Sequence, residues 1–210
     1  MNILCFGAIV LILFVTGCSI PISTKYTPVG ATESLVEGNT KPHLFVGRFE
    51  DARTDKESIG DMNNLFGGSA KKVNTSDDLG LLFAEAATDA LRKSGAEASL
   101  HGERGATTTV PADELEGADY VIGGRLKTIH VQSQPGWDTF RITANVIIDV
   151  YVKRGDKGEW IGPIEGTAET REIVLRTESL TNALDMAIGN SMRNMIRHLK
   201  SSGVLTEGNN

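Results

Sequence analysis

Between Phe140 and Lys153 the chain alternates between apolar and polar side chains. Ile142, Ala144, Val146, Ile148, Val150 and Val152 fall on one face. Arg141, Thr143, Asn145, Asp149 and Tyr151 fall on the other, with Ile147 the apolar exception. Successive side chains of a strand point to opposite sides, so this pattern dictates a strand with one buried and one solvated face. Such a strand needs partners, and its flanks supply them. Tyr120–Val131 leads into it through Gln134-Pro135-Gly136-Trp137, and Gly155-Asp156-Lys157-Gly158 leads out into Trp160–Ile173. Two tight turns between three strands predict an antiparallel meander.

Two segments carry a helical period instead. In Leu79–Ser94, the residues Leu79, Leu82, Phe83, Ala86, Ala87, Ala90 and Leu91 form one apolar stripe. Ser76, Asp77 or Asp78 can cap its start, and Gly95 supplies a stop. In Ser179–Leu199 the stripe is Leu180, Leu184, Ala187, Ile188, Met192, Met195, Ile196 and Leu199. Ser179 or Thr177 can cap it, and Arg193, Arg197 and Lys200 complement the helix dipole at its far end. A strand at His43–Phe49, a short one near Ala98–His101 and a helical turn at Pro111–Gly117 complete the order β-α-β-β-β-β-α. An antiparallel sheet with one apolar face and two amphipathic helices is satisfied when both helices pack on that face. The expected fold is therefore α+β, a two-layer sandwich with an antiparallel meander sheet. Glu50–Asp78 is polar and rich in Gly, Asn and Asp; it reads as one long loop, and loops of such length in compact domains are functional or mobile.

The N-terminus speaks to location. Ile3–Val15 is almost wholly apolar and uncharged. It is shorter than the roughly 20 residues a bilayer span needs, and it matches a signal-peptide core. Val15-Thr16-Gly17-Cys18 ends this run and resembles the lipobox of bacterial lipoproteins, although the preceding Met1-Asn2 carries no Lys or Arg. The resemblance implies diacylglyceryl transfer to the Cys18 thiol, cleavage before Cys18 and acylation, as with palmitate, of the new amine. Ser19 after the cysteine, where an Asp would signal inner-membrane retention, favours the outer membrane. Each buried methylene contributes about 0.8 kcal/mol, so more than one chain gives stable anchoring. The expected organisation is a signal peptide at 1–17, the lipidated Cys18 with a flexible tether at 18–42, one periplasmic α+β domain at 43–202 and a flexible tail at 203–210.

Composition narrows the chemistry. The net charge of −6 over 210 residues makes nucleic acid a poor partner and argues against a polybasic hold on anionic lipid. Cys5 and Cys18 are the two cysteines, so the domain behind them has none for disulfides, thiol catalysis or a cysteine metal site. His43, His101, His130 and His198 share no metal-ligand spacing. Gly67-Gly68-Ser69-Ala70-Lys71-Lys72 lacks the spacing of a phosphate loop, and no G-x-S-x-G elbow is present. No metal and no cofactor is expected. The one dense polar constellation is Asp51-Ala52-Arg53-Thr54-Asp55-Lys56, with Ile59-Gly60 behind it. It reads either as a salt-bridged turn closing a strand edge or as a recognition loop. Asp51, Asp55 and Asp61 could serve acid/base work, but Arg53 and Lys56 stand among them, and neighbouring cations lower the carboxylate pKa that a general acid needs raised. Trp137, Trp160 and Tyr151 lie in or near the meander's turns and polar face, as partner anchors or as rim packing.

These features together resemble the YajG-like family of bacterial lipoproteins. The resemblance rests on the lipobox, the strand running into Asp51-Ala52-Arg53-Thr54-Asp55-Lys56 and Ile59-Gly60, and the helix ending in Lys93-Ser94-Gly95. The order of the later strands and the C-terminal helix agrees with it. It implies an outer-membrane lipoprotein with no established enzymatic activity and no catalytic residue to carry over. The expected function is non-enzymatic: binding of an envelope protein through Asp51, Arg53, Asp55, Lys56, Arg141, Asn145 and Tyr151. The alternatives are a binder of a small ligand, glycan or lipid under the 50–78 loop, and a hydrolase using Asp51, Asp55 and Asp61.

Overall fold

A computed structural model describes residues 19–24, 26, 33–35, 41–66, 68–105, 117–155 and 157–205, the side chains of residues 102–105 excepted. Cys18, the signal segment and most of the helical turn read at 111–117 lie outside the described residues. The strands are β1 (Ile20–Pro21), β2 (His43–Arg48), β3 (Glu50–Asp51), β4 (Gly60–Asn63), β5 (Ser69–Asn74), β6 (Glu97–Gly105), β7 (Tyr120–Pro135), β8 (Phe140–Arg154) and β9 (Lys157–Glu172). The helices are α1 (Leu79–Lys93) and α2 (Thr177–Ser202). The fold is α+β: a mixed open sheet of nine strands with two helices packed on it.

The meander is present. β7, β8 and β9 pair antiparallel along their lengths, and Ile142, Ala144, Val146, Ile148, Val150 and Val152 are all buried. The remainder of the sheet is organised by the other edge of β7. β2, β3 and β4 line up along that edge in turn, all parallel to it, with Leu44 opposite Tyr120, Glu50 opposite Arg125 and Gly60 opposite Val131. β6 then adds parallel to β2, and β5 pairs antiparallel with β4. β1 closes that side, parallel to β5. Gly60 is required where it stands: a Cβ there would lie 1.9 Å from the Val131 carbonyl oxygen.

The stretch 50–78 is thus not one structureless loop. It holds one short strand, β3, and the β4–β5 hairpin. Polar side chains hid the hairpin, because on β5 only Val73 turns fully inward while Ser69–Lys72 are exposed. Residues 19–24 also depart from the tether reading, because Ile20 and Pro21 pair with Val73 and Asn74, and Ile22 and Leu35 are buried in the core. Val204 and Leu205 pack against that core where a loose tail was expected.

Both helices lie on one face of the sheet and touch each other. The apolar stripe of α1 is buried, and Asp78 caps it by accepting from the Leu81 N–H at 3.1 Å. α2 starts without a side-chain cap. Arg176 holds the cap position, where Thr177 or Ser179 was expected, and Ser179 instead donates its backbone N–H to the Arg176 carbonyl. Phe49, Phe83, Leu91, Ile122, Leu126, Ile148 and Leu184 form the centre between the layers.

Candidate functional site

The Asp51–Gly60 segment is an excursion between two strands on the same edge. Asp51 pairs with Leu126 and Gly60 with Val131, so β7 advances five residues while this side spends nine. The surplus bulges outward, and Arg53 ties it down. Its Nε and Nη2 donate to Asp51 Oδ1 and Oδ2, both at 2.8 Å. Nη1 donates to the Ser58 carbonyl at 3.0 Å, and Nη2 reaches the Lys56 carbonyl at 3.4 Å. Only 8% of Arg53 is exposed. The salt-bridged-turn reading therefore describes this loop, and Arg53 offers no group to a partner: its donors are spent inward. Asp55 caps the same turn, accepting from the Glu57 and Ser58 N–H groups, while Lys56 is exposed.

The three aspartates of the hydrolase reading each have separate local partners. The Arg53 hydrogen bond holds the Asp51 carboxyl below the usual carboxylate range. Burial pushes the Asp61 carboxyl up, but bonds from Lys72 at 2.9 Å and Ser69 at 2.7 Å outweigh it and the net shift is downward. Lys72 is raised in return by Asp61. Carboxylates held ionised by cations are poor general acids. Among the described residues no group of three or more His, Cys, Asp or Glu could hold a metal.

Beside this loop, a cleft of about 650 Å³ opens between Arg48–Lys56 and Thr75–Gly80, at the start of α1. Its charges are largely paired with each other. Arg48 meets Asp78 at 2.7 Å, and Asp77 accepts the Thr24 Oγ1 hydroxyl at 2.8 Å.

The second surface is the outer face of β7–β9, opposite the helices. Arg141, Asn145 and Tyr151 all lie on it, but they do not form one site: Arg141 and Tyr151 are ten residues apart on β8, about 33 Å at 3.3 Å per residue. Tyr151 is engaged with Trp160 at 5.1 Å between rings, and Arg125 stacks over Trp160 at 4.6 Å while binding Glu50. Asn145 stands mid-strand between His130 and Thr167. Here a shallow depression of about 350 Å³ is lined by His130, Thr143, Asn145, Thr167 and Glu169, among others. Asn145 Oδ1 is shielded there without a hydrogen-bond partner. Arg141 and Arg171 flank Glu169 at 3.6 and 3.7 Å.

The sequence reading missed Leu65, Phe66, Ile173 and Val174. All four are exposed, as is Trp137. An apolar pair set inside a polar turn (Asn63-Asn64-Leu65-Phe66-Gly67) was the available signal, since nothing in a solvated hairpin loop asks for it.

No family model and no curated protein matches the sequence. Similarity appears among solved structures. Protein XCC0632 from Xanthomonas campestris, of the DUF330 family, superposes with a TM-score of 0.52 at 10% identity, covering 91% of this chain and 100% of that one. A protein described as a neuraminyllactose-binding hemagglutinin homolog from Helicobacter pylori gives 0.34 at 10% identity, over 87% and 90%. PelC from Paraburkholderia phytofirmans, crystallised as a dodecamer, gives 0.34 at 12% identity, over 75% and 95%. The first of these establishes a shared fold and nothing finer. Among the described residues no helix is long and apolar enough to cross a membrane.

Proposed function

We propose that this chain is a YajG-like, non-enzymatic lipoprotein of the bacterial outer membrane. Acyl chains on Cys18 hold it, and its periplasmic domain binds another protein of the cell envelope. The observation that carries the binding role is the open outer face of β7–β9. Three long strands present polar side chains there, no helix or strand among the described residues lies over them, and Asn145 Oδ1 sits shielded and unpartnered in a shallow depression. Shielded polar atoms in native proteins find partners, and rotation of the Asn145 carboxamide toward the depression would present this oxygen to a donor on a docked surface. A small-ligand, glycan or lipid site is the second reading, favoured by the cleft near Arg48 and Lys56. Its charges already neutralise each other, which leaves little to recognise a ligand. The hydrolase reading draws no support from carboxylates held apart in local pairs.

The test has two arms. Palmitate labelling of cells should mark the wild type and be lost in Cys18→Ser. A photo-crosslinking residue at Asn145 or Thr167 should trap a discrete envelope protein, and one at Lys56 should not. Adducts at Lys56 with none on the sheet face would overturn the surface assignment.

A further inference from the structure

We propose that the end of the sheet bearing Leu65, Phe66, Trp137, Ile173 and Val174 rests on the bilayer that anchors Cys18, so that the domain stands end-on against phospholipid. This deepens the lipoprotein reading and depends on it.

The strand registers bring these residues to one end. β4 runs parallel to β7, with Met62 opposite Ser133, so the β4–β5 turn carrying Leu65 and Phe66 lies beside the β7–β8 turn carrying Trp137. Phe140, just past that turn, is paired with Glu172, so Ile173 and Val174 follow at the same end. Of the seven large exposed apolar residues among those described, these are five; Trp160 and Met186 are the others. Phe66 is 97% exposed and Trp137 fully so. The opposite end of the meander differs. The large exposed aromatic there, Trp160, is packed against Tyr151 and Arg125.

The direction of β1 selects the occupant. β1 is parallel to β5, which runs away from the β4–β5 turn. The chain therefore enters the sheet from the apolar end, and Cys18 precedes Ile20 by two residues. Ile20 is level with Val73, four residues from Ser69 at the turn, about 13 Å of strand. Two residues of extended chain recover about 7 Å of this, and apolar groups lying in the headgroup region sink about 5–10 Å. An acylated Cys18 at the bilayer surface and five apolar tips within it are thus met by one placement. Trp, Phe and Leu on polar turns suit the membrane interface. Arg141 and Arg171, in the last paired rows before the tips, stand at headgroup level, and their stems can lie along apolar surface. Asp138 and Glu172 share this end, so apolar contact, not a polybasic hold, is the attraction.

The full acylated chain is reconstituted in phosphatidylethanolamine and phosphatidylcholine vesicles with brominated acyl chains. Trp160→Phe leaves Trp137 as the reporter, and Trp137→Phe leaves Trp160. Expected is quenching of Trp137 at least severalfold greater than that of Trp160. A photo-crosslinker at Phe66 should give lipid adducts. With Cys18 acylation confirmed by mass, equal or absent quenching overturns end-on docking while leaving the lipoprotein reading intact. A protein adduct at Phe66, from a second copy or another partner, overturns it as well. An unacylated Cys18 defeats the lipoprotein reading, and this inference with it.

Discussion

Arg53 and Asp51 face each other as a two-pronged ion pair, Nε to Oδ1 and Nη2 to Oδ2, each at 2.8 Å. The pair closes the bulge that lets β3 and β4 share one edge of β7. Arg53→Ala strips the Asp51 carboxylate of its cation and leaves two carbonyls without the buried guanidinium that ties them down beneath a largely exposed turn. Fully buried pairs cost about 3–5 kcal/mol to break and exposed ones about 0–1, so a loss of about 2 kcal/mol is expected in urea unfolding. Arg53→Lys should recover little, because an ammonium does not reproduce the planar fork. A loss below about 0.5 kcal/mol for Arg53→Ala, within the range of ordinary surface substitutions, would show that the turn holds without its staple.

Asp77 latches the N-terminal segment to the domain by accepting from the Thr24 N–H and hydroxyl. Burial pushes its carboxyl up, but the bonds from Thr24, Thr75 and Ser23 outweigh this and hold it below the ordinary value. A depressed folded-state pKa means the stabilisation is present above the unfolded value of about 4 and is lost as pH falls through the folded one. Asp77→Asn should therefore be less stable than wild type by about 1 kcal/mol at pH 7, with the gap shrinking below pH 4. A gap constant from pH 7 to pH 2 in denaturant titrations would contradict the latch. Asp51 and Asp61 are also depressed, but they titrate in both proteins and cancel in the difference.

Exposed apolar residues that serve contact with another surface do not serve folding. Leu65→Ser, Phe66→Ser and Trp137→Ser should each change unfolding free energy by no more than about 0.5 kcal/mol. A loss of about 2 kcal/mol or more at Phe66 would mean that its ring is held by the domain itself, and would be read directly from the midpoint in urea.

The parts legible in the sequence are those whose information is local. Alternation along β8 and the stripes of α1 and α2 are one-dimensional periods, and all three elements stand within a few residues of the expected bounds. Parallel pairing leaves no such trace. β2, β3 and β4 find β7 across some seventy intervening residues without a tight turn to announce it. The same distance hides the site. The composition of Asp51–Lys56 signalled a charged turn. That Arg53 faces inward depends on β3 and β4 sharing an edge, and that Arg141 and Tyr151 sit at opposite ends of a face follows only once the strand is known to be continuous.

α2 approaches β9 more closely than side chains normally allow, and Gly166 is the reason. A Cβ at Gly166 would lie 2.2 Å from the Ala187 carbonyl oxygen and 2.3 Å from the Ser191 nitrogen, both backbone atoms of α2. The contact is then locked on either side: Asn190 Nδ2 donates to the Thr167 carbonyl at 2.6 Å and Asn194 Nδ2 to the Glu165 carbonyl at 2.7 Å. Gly166→Ala must displace the helix, lengthening both amide bonds and loosening Leu184, Ile188 and Met192, which are fully buried beneath it. Overpacking of this kind costs about 1–3 kcal/mol, and the two lengthened bonds add to it, so a loss near the top of that range is expected in chemical denaturation. Asn194→Ala, which removes one bond without moving the backbone, should cost only about 1 kcal/mol. If the two variants proved equally stable, the closeness of the helix to the sheet would not be what Gly166 provides.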